Sequence, residues 1–424
     1  MIVLKCKMIE LKGKYNTAKV FTDVIETEAI NQIITLLNQS FTKNCKIRIM
    51  PDVHAGSGCT IGFTANLSDK VIPNLVGVDI GCGVLTIPLG KVDIDYKKFD
   101  KILRENIAYG QTINSKQKKS FDELEDMYCY KDIVKHQYDK VLKAIGSLGG
   151  GNHFVEIDED DEGNKYLMIH SGSRHLGLDV CKYYQNKAGK EEDKNNVNLL
   201  INNLKSSGKE SEIQKAIENY KSTLDKIPKN LQYLIGNDKE KYLHDMKICQ
   251  RYAALNRFTI AEELIKNYFK DCQVQLSTGG KFKLKQKGKY NIKTEWFDTV
   301  HNYIGDDNII RKGAVSAYKD QLLVIPINMR DGVLICKGKG NEEWNCSAPH
   351  GAGRLMSRSK AKEIIALSDY AESMNGIYST CINENTIDES AFAYKSINDI
   401  INNIEDTVEI INIIKPKYNF KADN

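Results

Sequence analysis

The chain has 424 residues, of which 41% are hydrophobic and 27% are charged. A chain of this length and composition can bury a sizeable core, which excludes an intrinsically disordered protein. Lys and Arg total 60 against 56 Asp and Glu, and the net charge of +4 does not by itself indicate a nucleic-acid-binding protein. Any basic groove must therefore be local.

The start of the chain argues against export. No window approaches the roughly 18 uncharged apolar residues of a membrane span. Lys5, Lys7 and Glu10 interrupt the stretch that a signal peptide would need to keep apolar. We therefore expect a cytoplasmic protein with no membrane partner, whose 11 cysteines are thiols rather than disulfides.

The chain carries no recognisable linker. It has only 7 Pro and no long Ser/Gly-rich or Pro-rich tract. We expect one compound domain over residues 1–424, acting as a monomer.

Strand and loop signals dominate the first part of the chain. Residues 1–50 alternate short apolar and polar runs around a helical pattern at 27–40, which predicts strands around one helix. Glycines then gather at 56–90, 146–151 and 172–177 beside β-branched runs, and they predict strand-end loops that bring backbone close to a ligand. Loops of this kind often carry functional sites.

The middle of the chain has a helical period. Residues 116–145 and 182–270 are polar and helical, and we interpret them as a helical insertion in a β-rich core, most variable at 182–245. An amphipathic helix is predicted from one shared face, formed by Tyr252, Leu255, Phe258, Ala261, Leu264 and Tyr268.

Strands are predicted to return in the last third. They occupy 290–336 and are followed by a helix from about Ser357 to Glu372. A polar helix and a terminal strand or coil extend to residue 424.

Six soft or borderline metal donors fall at predicted strand ends: Asp79, Cys82, His153, His170, His301 and His350. Thiolate, imidazole and carboxylate together suit Zn, Mn or Fe rather than Mg or Ca, and two ions could share one thiolate. The ligand spacing is long and lacks a local metal motif, so each residue taken alone fits a buried structural His or Cys equally well.

Two glycine-rich segments could bind phosphate. GSLGGGNH at 146–153 and HGAGR at 350–354 both offer successive backbone N–H groups, although neither is a Walker motif and either could be a simple turn. Arg354, Arg358, Lys360 and Lys362 gather at the start of the last-third helix, where the helix dipole disfavours cations unless an anion is present. The alternative is a solvated basic face.

Six motifs together resemble the RtcB family of GTP-dependent RNA ligases. They are PDVHAGSGCTIGFT at 51–64, VGVDIGCGV at 76–84, GSLGGGNHFVEI at 146–157, HSGSRHLG at 170–177, RKGAVSA at 311–317 and HGAGRLMSR at 350–358. The resemblance implies an α+β fold in which mixed β-sheets, wrapped by helices, surround a central cleft with two Mn(II) ions. It also implies an enzyme that uses GTP to join RNA 2′,3′-cyclic phosphate or 3′-phosphate ends to 5′-hydroxyl ends.

The resemblance also assigns roles to residues. Cys82 would bridge both ions, which Asp79, His153, His170 and His301 complete, and His350 would attack GTP and carry GMP as a phosphoramidate. The residues that would contact the guanine nucleotide are Asn152, Glu156, Asn302, Pro326, Ile327, Asn328, Met329, Gly351, Ala352, Gly353 and Lys421. Glu156 could accept the N1–H and amino protons of guanine, which would discriminate against adenine.

The sequence departs from the family pattern at two places. Pro326-Ile327-Asn328-Met329 stands where the family usually has Pro-Gly-Ser-Met, and Lys421 is followed by Ala422 rather than Gly. The substrate could be a broken RNA or a tRNA undergoing splicing. Two rival functions stay open at this point: a metal-dependent 2′,3′-cyclic phosphodiesterase without ligation, against which an intact HGAGR argues, and a noncatalytic RNA-binding protein, which the neutral net charge hardly favours.

Overall fold

A computed structural model of the protein describes residues 8–223, 227–269, 272–276, 281–286 and 291–422. The parts of the predicted elements that fall at 1–7, 224–226, 270, 290 and 423–424 lie outside these described residues. Strands and helices alternate irregularly along the chain, and the fold is α+β, as predicted.

The strands are β1 (Ile9–Lys12), β2 (Thr17–Val20), β3 (Ile47–His54), β4 (Ile61–Ala65), β5 (Gly83–Gly90), β6 (Phe154–Glu159), β7 (Lys165–Ser171), β8 (Cys272–Leu276), β9 (Lys281–Gln286), β10 (Asn291–Glu295), β11 (Phe297–Val300), β12 (Tyr303–Ile304), β13 (Ile310–Lys312), β14 (Ala314–Ser316), β15 (Leu322–Asn328), β16 (Gly332–Gly338), β17 (Ser347–Pro349) and β18 (Val408–Lys421). The α-helices are α1 (Thr27–Leu37), α2 (Pro73–Val76), α3 (Tyr96–Asn106), α4 (Tyr138–Ala144), α5 (Arg174–Lys187), α6 (Lys190–Ser206), α7 (Ile213–Thr223), α8 (Gly236–Tyr268), α9 (Arg358–Ile364), α10 (Leu367–Ser373) and α11 (Ile397–Ile404).

The strands pair into two large and two small sheets within the described ranges. The first large sheet has the order β1-β2-β3-β4-β13-β12, and the second has the order β11-β5-β7-β6-β18-β16-β15. The small sheets are β10-β9-β8 and β14-β17. Helix α1 covers the first sheet with Ala29, Ile33 and Leu36, which recur at helical spacing and are buried, so the helix predicted at 27–40 is confirmed.

The strand register of the second sheet brings loops that are distant in sequence to the same end of its strands. Val84 pairs with His170, and His170 also pairs with Phe154. Next to these strands, Gly83 of β5 pairs with Val300 of β11, and Phe154 of β6 pairs with Lys421 of β18. At this level of the sheet one antiparallel strand begins where its neighbour ends, so the residues just beyond these pairs meet at the same end of the strands.

The helical regions differ in detail from the prediction. Within 116–145 only α4 is an α-helix, and it follows a 3₁₀ turn at Asp122–Asp126 and a π-helical turn at Tyr130–Val134. The long helix α8 is more than an insertion, since its second half packs against the core of the second sheet through Ile260, Ala261 and Leu264. Leu255 and Phe258 of the predicted apolar face are only partly buried.

The single helix predicted from Ser357 to Glu372 is wrong, because the chain forms the two short helices α9 and α10. Ser357 caps α9 by accepting from the Lys360 amide, but Ile365 and Ala366 are extended. At the break, the partly buried Ile365 side chain packs against a small apolar cluster that includes Tyr370 and Met374. No helix in the described part of the chain is long and apolar enough to cross a bilayer.

Candidate active site

Cys82 lies at the junction of two groups of metal donors. One group is Asp79, Cys82 and His153, and the other is Cys82, His170 and His301, with the donor atoms of each group within 4.8 Å of one another. The Cys82 Sγ atom is 3.4 Å from His153 Nε2 and 3.3 Å from His170 Nε2. The structure thus brings together all five predicted metal ligands, which we call the donor cluster, with the thiol in the shared position.

Backbone carbonyls orient two of the imidazole rings. His153 Nδ1 donates to the Leu148 carbonyl at 2.9 Å, and His170 Nδ1 donates to the Asn152 carbonyl at 3.2 Å. A carbonyl oxygen can only accept, so the proton of each neutral ring is on Nδ1 and the lone pair on Nε2 faces Cys82. This is the arrangement that metal-binding histidines use.

Asp79 depends on a close backbone approach. Its Oδ1 accepts from the Ser173 amide at 2.9 Å, and its Oδ2 is 3.1 Å from His153 Nε2. A Cβ atom on Gly172 would lie 2.2 Å from both carboxylate oxygens, so only glycine fits at that position.

Burial sets the protonation states of the cluster. Loss of solvent and the neighbouring histidines hold the pKa of His170 and of His301 well below the usual value, so both rings are neutral. Burial and the Asp79 charge raise the pKa of the Cys82 thiol well above its usual value. Burial alone would raise the pKa of Asp79, but its close contact with His153 and the hydrogen bond from the Ser173 amide outweigh burial and lower that pKa. Neutral imidazoles beside a thiol and a carboxylate fit borderline divalent cations, whose charge would stabilise the thiolate.

Two buried residues of α8, which sequence reasoning missed, support the loops of the cluster. Arg257 donates to the carbonyls of Gly81 at 2.9 Å and Ser171 at 2.8 Å, and it forms a two-pronged ion pair with Asp298. Asn256 accepts from the Gly146 amide at 2.8 Å and donates to the Gly172 carbonyl at 3.1 Å. Both residues are fully buried, and two adjacent polar residues in an apolar helical segment were the signal available.

His350 adjoins the donor cluster. Its ring centroid is 4.8 Å from that of His301. Its Nδ1 donates to Asp52 Oδ2 at 2.6 Å, and its backbone amide donates to the same oxygen at 3.0 Å. Asp52 is fully buried in β3 and was not predicted as a site residue, although it lies in the first motif.

A cavity of about 650 Å³ opens beside His350 and His170. The predicted nucleotide residues that line it are Asn152, Glu156, Pro326, Ile327, Asn328, Met329, Gly351, Ala352, Gly353 and Lys421. Asn302 instead donates to the Asp79 carbonyl at 3.1 Å and accepts from the Gly313 amide at 2.8 Å, so its side chain braces the loop of Asp79.

Glu156 is a buried carboxyl group in the cavity wall. Asn419 donates to its Oε1. Burial raises the pKa of Glu156 to about 7, against the opposing effect of the Lys421 charge. Asp158 lies two residues further along the same strand and is also fully buried. Loss of solvent and the nearby Glu156 raise the pKa of Asp158 well above its usual value.

Carboxylates of the protein itself neutralise the basic residues after His350. Arg358 Nη1 is 2.6 Å from Asp388 Oδ2 and 2.5 Å from Glu389 Oε1. Lys421 Nζ is 2.7 Å from Glu389 Oε2, and Arg354 Nη1 is 3.5 Å from Glu389 Oε1. Burial opposes ionisation of Glu389, but Lys421 and Arg358 hold its pKa at about 2. The anion expected beside these cations is therefore supplied by a buried acidic pair.

The departure at 326–329 has a local structural role. The Asn328 side chain accepts from the amides of Arg330 at 3.0 Å and Asp331 at 2.9 Å, which closes the β15–β16 turn. Tyr370 donates to the Met329 sulfur at 3.3 Å. All four residues of this segment line the cavity, and the Asn328 side chain also closes the turn.

The fold therefore places a Cys/His/Asp cluster that could hold metal ions beside His350, which lines the cavity. The sequence model of the family described as tRNA-splicing ligase RtcB matches residues 35–129 and 86–422. The chain therefore belongs to the RtcB family, as its motifs predicted. It is 29% identical to RNA-splicing ligase RtcB of Escherichia coli K12 over 420 residues, covering 91% of this chain and 92% of that protein. It is 26% identical to the tRNA-splicing ligase RtcB of Methanococcus maripaludis over 441 residues, covering 87% and 86%.

Proposed function

We propose that the protein is an RNA ligase that uses GTP and two Mn(II) ions to join 2′,3′-cyclic phosphate or 3′-phosphate ends to 5′-hydroxyl ends. The observation that carries the proposal is the juxtaposition of His350, held by Asp52, with the donor cluster at one end of a nucleotide-sized cavity. RNA repair and tRNA splicing both fit this chemistry.

His350 is the nucleophile in this proposal. Because Asp52 binds the Nδ1 proton, the Nε2 lone pair is available to attack the α-phosphorus of GTP. The Nε2–P bond forms as the bond from the α-phosphorus to the bridging oxygen of pyrophosphate breaks. The ring gains positive charge on attack, and the Asp52 carboxylate stabilises that charge. A 2′,3′-cyclic phosphate would first be opened by water, which breaks the bond from phosphorus to the 2′ oxygen and leaves a 3′-phosphate. An oxygen of the 3′-phosphate then takes the guanylyl group as the Nε2–P bond breaks. The RNA 5′-hydroxyl oxygen finally attacks the 3′-phosphorus and displaces GMP.

The donor cluster would hold the two ions, with Cys82 shared between Asp79 and His153 on one side and His170 and His301 on the other. Bound divalent ions would neutralise phosphate oxygens and so favour attack by a neutral imidazole. The backbone amides of Gly351, Ala352 and Gly353 would face the phosphates. Glu156 and Lys421, which also line the cavity, would contact the base.

Covalent labelling with GTP tests the proposal. The protein is incubated with α-labelled GTP and Mn(II), and acid-labile label on the chain is measured, followed by sealing of RNA with a 2′,3′-cyclic phosphate. We expect label on the wild type and on the exposed control His136→Ala, and none on His350→Ala. RNA ends opened without label or sealing would instead favour the phosphodiesterase, and no reaction with RNA would favour a binding protein.

A further inference from the structure

A second histidine, His54, lines the same cavity and is held by the same aspartate as His350. His54 Nδ1 lies 2.8 Å from the main-chain carbonyl oxygen of Asp52, whereas His350 Nδ1 lies 2.6 Å from the Asp52 carboxylate. One residue of β3 therefore fixes two imidazole rings, one through its backbone and one through its side chain. The role proposed above uses only His350.

The tautomer of His54 follows from its partner. The Asp52 carbonyl can only accept, so Nδ1 carries the proton. Burial, with a smaller effect of His350, lowers the pKa of His54 to about 4, so the ring is neutral near pH 7. Its Nε2 is then a hydrogen-bond acceptor. The described residues provide Nε2 with no hydrogen-bonding partner, although the ring is partly exposed to the cavity.

The segment that carries His54 is firmly held. The His54 carbonyl accepts from Thr60 Oγ1 at 2.8 Å. Glu26 Oε1 accepts from the Ala55 amide at 2.6 Å, and Gln32 bonds both the amide and the carbonyl of Gly56, at 3.1 and 3.0 Å. The acceptor is therefore preorganised, which is the property of a recognition group rather than of a mobile surface side chain.

Because His54 Nε2 is an acceptor with no donor among the described residues, the ligand group that meets it must be a hydrogen-bond donor. Near neutral pH the phosphates of GTP and RNA offer almost only acceptors, so they cannot satisfy Nε2. The donors are base N–H groups and hydroxyl groups. In the proposed function the base edge faces Glu156, and a hydroxyl is the donor that remains.

We propose that His54 Nε2 accepts a hydrogen bond from a substrate hydroxyl in the cavity. This inference rests on the proposed ligase function and adds a recognition residue to it. The hydroxyl has two sources: a ribose hydroxyl of GTP or the 5′-hydroxyl of the RNA to be sealed. In either case the acceptor lies in a rigid wall beside the nucleophile.

Two substitutions of His54 distinguish the role of the Nε2 acceptor from that of the Nδ1 hydrogen bond to Asp52. His54→Asn keeps a donor for the Asp52 carbonyl but places nothing at the position of Nε2, whereas His54→Gln can return an oxygen acceptor to that position. His136→Asn on the exposed surface is the matched control. Thermal melting of each variant verifies the fold.

The first assay measures guanylylation of the protein with GTP, 2′-deoxyGTP and 3′-deoxyGTP. The second measures sealing of RNA supplied with a preformed 3′-guanylylated end. If the ribose of GTP is the donor, His54→Asn guanylylates about tenfold more slowly with GTP but not with one of the deoxynucleotides. If the RNA 5′-hydroxyl is the donor, guanylylation is unchanged and sealing slows about tenfold. His54→Gln should recover part of the loss in either case.

Wild-type rates for His54→Asn in both assays would overturn the inference. So would an equal loss on all nucleotides and in sealing, accompanied by a lower melting temperature, since that pattern marks a structural residue. Failure of the wild type to guanylylate or seal would instead contradict the proposed ligase function, and the two failures are therefore distinguishable.

Discussion

A single carboxylate oxygen of Asp52 accepts hydrogen bonds from both the backbone amide and the ring of His350, at 3.0 and 2.6 Å. The two bonds fix the main chain and the side chain of the proposed nucleophile together. Lys395 holds β3 in place, since its Nζ donates to the carbonyls of Pro51 at 2.8 Å and Val53 at 3.1 Å on either side of Asp52. The orientation of His350 is thus set by buried groups of distant sequence segments.

Asp52→Asn should slow guanylylation of His350 by about 100-fold or more, because a neutral amide cannot stabilise the positive charge that the ring gains on attack. Ion binding should be unchanged, since Asp52 is not part of the donor cluster. The measurement is the rate of label transfer from GTP to the protein, with the exposed Asp306→Asn as control. Label transfer at the wild-type rate would show that the Asp52 contact does not assist the reaction.

Cys82→Ala should remove both metal ions rather than one, because each group of donors loses the sulfur that they share. The metal content per chain after dialysis against Mn(II), measured by elemental analysis, checks this. The buried Cys336→Ala, outside the cluster, is the control for loss of a thiol. A variant that still retains one ion per chain would contradict a bridging role.

The sequence identified the donors but not the groups that orient them. His153, His170 and Cys82 stand beside glycines at strand ends, a local signal that can be read from one chain. Asn256 and Arg257 act on loops more than 80 residues away in sequence, through contacts that depend on how α8 packs. The role of the acidic pair Asp388 and Glu389 likewise could not be predicted, because it depends on the terminal strand, which places Lys421 beside Glu389.

The helices, too, could be predicted from the sequence only in part. Helix α1 was predicted because its apolar residues recur with the helical period on one face. The break between α9 and α10 was not predicted, and Ile365 at this break packs against a cluster that includes Met329 from a distant part of the chain. Periodicity reports local propensity, and tertiary packing overrides it at such positions.

Glu156→Gln should narrow the preference for GTP over ATP in label transfer by about tenfold or more. A carboxylate accepts both guanine donors, whereas an amide presents a donor to the same edge. Rates with labelled GTP and ATP, compared at equal concentrations, provide the measurement. Glu159→Gln on the same strand is the matched control. Unchanged discrimination would remove Glu156 from the base site.

Asp158→Asn should stabilise the protein at pH 8 but hardly at pH 4.5. Both carboxylate oxygens of Asp158 lack a hydrogen-bond partner among the described residues, and the side chain is fully buried. Its pKa is raised in the folded state, so the folded protein retains a proton that the unfolded chain releases above about pH 4. The unfolded state then binds fewer protons, and the free energy of unfolding falls as the pH rises towards the folded-state pKa. Asparagine does not titrate and escapes this loss.

The gain in the free energy of unfolding for Asp158→Asn should be larger at pH 8 than at pH 4.5, by about 1.4 kcal/mol for each pH unit over which the folded protein holds the proton and the unfolded chain does not. Urea titrations at pH 4.5 and pH 8 measure it, with the exposed Asp161→Asn on the following turn as control. A gain of equal size at both pH values, or a loss at pH 8, would show that Asp158 finds a partner that keeps it ionised in the folded protein.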